Sequence, residues 1–118
     1  MSNREEIERI IDLYVEGING NDVDNIPFTE DVEFHGSMLP EPKKGEAAVR
    51  EHLAQTAPFF TMQVKHLIVE NDTAATMIEM EAVNGVKVEG AGFFRFREGK
   101  ICFDQGFFDT HRLITGKR

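Results

Sequence analysis

Residues 73–109 read TAATMIEMEAVNGVKVEGAGFFRFREGKICFDQGFFD. Two turn signals divide this stretch. Asn84-Gly85 stands between Val83 and Val86. An Asn-Gly pair between apolar alternations is a strong hairpin signal, because both residues tolerate the left-handed backbone of a tight turn. Glu98-Gly99-Lys100 marks a second turn, read as a three-residue loop with Gly99 left-handed. The stretch therefore predicts three antiparallel strands: Thr73 to Val83, Val86 to Arg97 and Ile101 to Asp109.

Turn lengths set register, and register sets faces. A two-residue Asn84-Gly85 loop pairs Glu81 with Val88, Glu79 with Gly90, Met77 with Gly92 and Ala75 with Phe94. A three-residue second loop pairs Phe96 with Cys102, Phe94 with Asp104, Gly92 with Gly106 and Gly90 with Phe108. One face then carries Met77, Glu79, Val88, Gly90, Gly92, Phe94, Cys102, Asp104, Gly106 and Phe108. Missing side chains at Gly90, Gly92 and Gly106 let the sheet bend and leave volume above the bend. Apolar residues with a few polar groups around such a hollow are the pattern of a ligand pocket. The competing reading makes these glycines bulge sites under packed helices. The opposite face carries Thr76, Ile78, Met80, Ala91, Phe93, Ile101 and Phe107. One helical layer covers only one face, so a homodimer through this outer face, at Ile78, Ala91, Phe93 and Phe107, is expected.

Upstream of residue 60 the periodicity becomes helical. Ile7, Ile10, Ile11, Tyr14 and Ile18 form one stripe, predicting a helix over 3–19. Ser2 and Glu5 have capping-box spacing, and Asn19-Gly20-Asn21 ends the helix. Asp22 to Ile26 reads as one short turn, and Asp31 to His35 as a short strand. A second helix spans 45–57, with Val49 and Leu53 inward and His52 a candidate beside them. Gln63 to Glu70 adds a further strand, and a terminal turn is expected from Thr110. Helices first and strands after predict an α+β domain over 1–118: a cone-shaped, curved antiparallel sheet packed with N-terminal helices around a central pocket.

The chain has 118 residues, 41% of them hydrophobic, which suits one core. No apolar run approaches the roughly 20 residues of a spanning helix, so no membrane partner is expected. Net charge is -8 and the basic residues are scattered, which argues against nucleic acid. The polar start shows no signal peptide, and the single cysteine, Cys102, forms no internal disulfide. A cytoplasmic location is the expectation. His52, His66 and His111 have no metal-ligand spacing among themselves, and no phosphate-binding or dinucleotide glycine motif is present. No metal and no cofactor are expected.

The order of short motifs resembles a known superfamily. Tyr14-x-x-x-Ile18-x-Gly20-Asn21-Asp22 comes first, then Glu30-Asp31-Val32-Glu33-Phe34, then Gly45-x-x-x-Val49-Arg50-x-x-Leu53. The ending runs from Gly92-Phe93-Phe94-Arg95-Phe96 to Gly106-Phe107-Phe108-Asp109. Together they resemble the ketosteroid isomerase, SnoaL-like and limonene-epoxide-hydrolase superfamily of the nuclear transport factor fold. The resemblance implies the cone fold over nearly the whole chain. It also implies a role for Tyr14, which matches the oxyanion-donor tyrosine of the isomerases. Their base falls at Gly36 and their second acid at Gly92. The epoxide-hydrolase set falls at Gly106 and near Ile78 and Met80. Neither catalytic set is intact.

Asp104 is the leading polar candidate. It is predicted on the glycine-lined face beside Phe94, where apolar surroundings raise a carboxyl pKa and ready it for proton transfer. Tyr14 is its candidate hydrogen-bond donor. Phe34, Met77, Glu79, Val88, Gly90, Gly92, Phe94, Gly106 and Phe108 are the expected pocket residues. His35 alternates with Phe34 and is expected on the other face. The expected function is a small-molecule pocket binding an apolar or cyclic ligand. The alternatives are a cofactor-independent acid–base enzyme using Asp104 and Tyr14, and a structural dimer with a vestigial cavity.

Overall fold

A computed structural model describes residues 3–37 and 39–109. Ser2 of the expected capping box and the turn expected from Thr110 lie outside the described residues. Helix α1 (Asn3–Asn19) buries Ile7, Ile10, Ile11, Tyr14 and Ile18 along one stripe. Each such isoleucine contributes about 1.5–3 kcal/mol on burial. At the end of α1, Asn19 brackets the sheet: its amide donates to Met62 O (2.9 Å) and its Oδ1 accepts from Met62 N (2.8 Å). A one-turn 3-10 helix, Val23–Asn25, follows. Its neighbour Ile26 packs so close that a Cβ on Gly17 would lie 2.7 Å from Ile26 Cγ1.

Strand β1 (Phe28–His35), the two-residue β2 (Lys43–Lys44) and helix α2 (Glu46–Thr56) come next. β2 had no counterpart among the expected strands. Val49 and Leu53 of α2 are buried as expected. Arg50 anchors α2 from the side, donating to Val23 O (2.7 Å) with its guanidinium 5.1 Å above the Phe28 ring. The long strands are β3 (Phe60–Glu70), β4 (Thr73–Ala82), β5 (Lys87–Arg97) and β6 (Lys100–Phe108). The sheet order is β2-β1-β6-β5-β4-β3. All neighbours are antiparallel except β1 and β6, which run parallel and set Phe34 beside Asp104. The helices lie on one face of this curved, unclosed sheet, an α+β fold.

The first hairpin departs from expectation by one residue. Ala82 pairs with Val86 (N–H to O, 2.9 Å), and Val83, Asn84 and Gly85 form a three-residue loop ending at Gly85, φ +85°. Ala74 therefore faces Phe94, Thr76 faces Gly92, Ile78 faces Gly90 and Met80 faces Val88. This slip turns all of β4 over. Thr76, Ile78 and Met80 are buried under the helices, and Met77 and Glu79 face outward. The expected register would have sunk Glu79 and Glu81 into the core. Burying two carboxylates costs far more than leaving Val83 exposed in the loop, so the longer loop wins.

The second hairpin departs twice and the departures cancel. Glu98 (φ +54°) and Gly99 (φ +75°) make a two-residue turn, pairing Arg97 with Lys100 and Phe96 with Ile101. A bulge then lets Cys102 pass unpaired, so Arg95 meets Phe103 and Phe94 meets Asp104. Ile101 consequently points inward and is fully buried, and Cys102 is only half-buried. Both were expected the other way. From Asp104 onward the expected pairing holds.

Candidate functional site

The concave face encloses a cavity of about 320 Å3. α1 contributes Tyr14 and Ile18, α2 contributes His52 and Leu53, and β6 contributes Asp104. Phe34, Gly92, Phe94, Gly106 and Phe108 line it as expected. Four expected residues do not. Met77 and Glu79 are on the outer face, and Glu79 lies near Lys87, Glu89 and Asp109. Val88 and Gly90 share the inner face but lie beyond the cavity wall; Val88 packs with Ile78, Met80 and Phe108.

Phe108 crowds two of the glycines. A Cβ on Gly106 would lie 3.0 Å from the nearest atom of its ring; at Gly90 the ring is equally near, but the backbone oxygen of Phe107 is closer, at 2.5 Å. A Cβ on Gly92 would meet Thr76 Oγ1 at 2.8 Å. Part of the hollow is thus filled by an aromatic ring, and the remainder is the cavity.

Most polar groups of the wall are already satisfied. Thr76 Oγ1 donates to Gly92 O (3.3 Å). Ser37 Oγ donates to Gly106 O (3.1 Å) and accepts from Phe108 N (3.3 Å). Thr56 Oγ1 donates to His52 O (3.1 Å). Asp104 differs: it is 2% exposed, and its Oδ2 is buried with no hydrogen-bond partner among the described residues. Burial disfavours the charged carboxylate and pushes the Asp104 pKa up to about 7, against a smaller lowering by the hydrogen bond from Tyr14. The Tyr14 phenol is held well above its ordinary value by burial and by the Asp104 charge, so it stays a donor. Its ring meets Phe94 edge-on at 5.2 Å, which fixes the hydroxyl toward the carboxyl.

His52 was not among the expected pocket residues, yet it lines the wall with its ring 5.1 Å from that of Phe34. Burial, and then the charge of Lys43, lower its pKa, so the imidazole is neutral at neutral pH. The helical stripe gave only a hint of it, three residues after Val49. His35 sits on the outer face against Phe103 (4.9 Å) and near Glu33 (3.3 Å), as its alternation implied. Among the described residues no cluster of His, Cys, Asp and Glu is arranged to hold a metal, and no helix is long and apolar enough to cross a membrane.

The SnoaL-like domain model matches residues 11–103, most of the chain. The chain belongs to the SnoaL-like family. No curated protein sequence matches it. Solved structures share the fold. The epoxide hydrolase/cyclase-like enzyme SalBIII, of pyran ring formation in the polyether salinomycin, is 24% identical, with TM-score 0.79 over 94% of this chain and 96% of that one. An NTF2-like protein of unknown function from Mesorhizobium loti is 16% identical, with TM-score 0.80 over 92% and 95%. A candidate ketosteroid isomerase from Kribbella flavida is 18% identical, with TM-score 0.77 over 89% and 78%. At these identities the likeness establishes fold alone.

Proposed function

We propose that the cavity binds a small, apolar, ring-bearing molecule and that Asp104 moves a proton on it, with Tyr14 as the orienting donor. The observation that carries this reading is the buried, unpartnered Oδ2 of Asp104 at the wall of an otherwise apolar space. A native protein tolerates an orphaned buried carboxylate oxygen where a ligand or a proton completes it. A carboxyl with a pKa of about 7 exists as acid and as base at neutral pH, which is the condition for efficient proton transfer. The volume, at the low end of small-molecule sites, fits one or two rings. The isomerase-like and cyclase-like relatives are in keeping with proton chemistry on a cyclic molecule.

The test uses 5-nitrobenzisoxazole, a neutral two-ring carbon acid. The Asp104 carboxylate takes the C3 proton, the ring N–O bond breaks, and a cyanophenolate leaves with its characteristic absorbance. Turnover should rise through a midpoint near pH 7 and fall at least 100-fold in Asp104→Asn. Equal rates in the two proteins would sink the proton-transfer reading and leave ligand binding without turnover. We further propose that two copies pair through the outer sheet face. Ile78 is no part of that face, because β4 is turned over.

A further inference from the structure

The cavity offers a ligand more than one polar contact, and the second comes from a different element. His52 projects from α2 and Asp104 from β6, and Phe34 is neighbour to both. Phe34 pairs with Asp104 across the β1–β6 ladder, and its ring stacks obliquely on His52 at 5.1 Å. Phe34 is thus beside Asp104 through its backbone and beside His52 through its ring. The hydroxyls of Ser37, Thr56 and Thr76 are all committed to backbone partners. The His52 ring nitrogens have no hydrogen-bond partner among the described residues. With those hydroxyl protons taken, the wall's side-chain groups that have no hydrogen-bond partner among the described residues are Asp104 Oδ2 and the His52 imidazole.

We propose that His52 is a second recognition residue, so that the cavity selects uncharged cyclic molecules carrying two hydrogen-bonding groups. This rests on the proposed function, because Asp104 supplies the first contact. Among the described residues no Lys or Arg lines the cavity, so a carboxylate or phosphate on the ligand finds no countercharge there. A neutral imidazole both donates and accepts, so it takes a hydroxyl, a carbonyl or an ether oxygen. An apolar wall with two fixed polar points gives orientation as well as affinity, since the wrong ring isomer leaves a buried group unpaired.

The experiment compares 2-naphthol, which has one donor, with the 1,5-, 2,6- and 2,7-dihydroxynaphthalenes, using the fluorescence of each probe at pH 8. For at least one diol, the affinity ratio of diol to 2-naphthol should fall about 2- to 10-fold in His52→Phe, the worth of one hydrogen bond. His52→Gln, which still donates and accepts, should restore the ratio. Melting curves of both variants identify any loss of fold, and the Gln variant carries the test if Phe is not accommodated. A ratio unchanged in His52→Phe for every diol overturns the second contact alone. Affinity for 2-naphthol that is indifferent to Asp104→Asn overturns the underlying reading instead. No saturable binding of any probe overturns both.

Discussion

The Tyr14 hydroxyl donates its hydrogen bond to Asp104, and Oδ2 of the Asp104 carboxylate has no hydrogen-bond partner among the described residues. The carboxyl is held by one donor and leaves a buried oxygen without one. The cost of this arrangement appears as a pH dependence. An unfolded Asp titrates near 3.9, and folding raises this one to about 7. Between those values the native state holds the extra proton. Stability from this group is therefore full below about pH 4, falls as pH rises toward 7, and is flat above. A rise of about three pKa units bounds the loss at roughly 4 kcal/mol. Asp104→Asn removes the charge without changing the volume. We expect the variant to melt at least about 4 °C above wild type at pH 8, and the difference to shrink toward zero at pH 4.5. Parallel melting curves across that range would show Asp104 to be ionised and solvated.

Tyr14→Phe isolates the donor. The ring contact with Phe94 survives, and only the hydroxyl is lost. Because that hydrogen bond favours the charged carboxylate, its removal raises the Asp104 midpoint further, by about 1–2 units for a bond to a charged group. Carboxyl-carbon NMR titration of the wild type and variant reads the midpoint directly. A midpoint that stays put or falls assigns Tyr14 to packing alone.

The sequence carried the helices, the strand order after residue 60 and the Phe94–Asp104 pairing, because these follow from periodicity and turn chemistry. It did not carry the faces of β4. Asn84-Gly85 accommodates a two- or a three-residue loop, and one residue of difference turns Met77 and Glu79 outward and Thr76 and Ile78 inward. The burial of Glu79 and Glu81 in the shorter-loop register was the available warning. The placement of Asp104 came out right through two compensating departures, the Glu98-Gly99 turn and the Cys102 bulge. His52 was hidden because a lone histidine on an apolar helix face is indistinguishable in sequence from a core residue. Its significance comes from Phe34, which only the tertiary fold brings to it.

Gly90 and Gly106 look alike in sequence and should behave differently. A Cβ at Gly90 would lie 2.5 Å from the backbone oxygen of Phe107, and backbone cannot move without breaking the ladder. A Cβ at Gly106 meets only the Phe108 ring, at 3.0 and 3.3 Å, and that ring can swing. Gly90→Ala should cost about 1–3 kcal/mol in denaturant unfolding. Gly106→Ala should cost less than about 1 kcal/mol while displacing Phe108 and weakening 2-naphthol binding. The reverse order of stabilities would contradict this account of the glycines.

The outer face provides the last prediction. Across four strands, Ile68, Ala75, Phe93 and Gln105 lie in one row, and His66, Met77, Ala91 and Phe107 lie in the next. Ile68, Met77 and Phe107 are at least half exposed, so the two rows form one apolar band. The band has charged ends. Arg95 lies beyond Phe93, over the rings of Phe93 and Phe103 at 5.7 and 5.4 Å, and Glu79 pairs with Glu89 beyond Ala91. In the proposed dimer, a two-fold axis perpendicular to the strands would set the Arg95 end of one copy on the Glu79–Glu89 end of the other, matching apolar and charged parts together. Sedimentation should show a dimer at about 50 μM wild-type protein. Met77→Glu alters only an exposed side chain of the single chain, so it should give a monomer that melts cooperatively. Arg95→Glu should weaken the dimer at least about 10-fold, and added salt should weaken the wild-type dimer in the same direction. A wild-type chain that remains monomeric at several hundred micromolar removes the interface, and a dimer indifferent to Arg95→Glu removes the proposed axis.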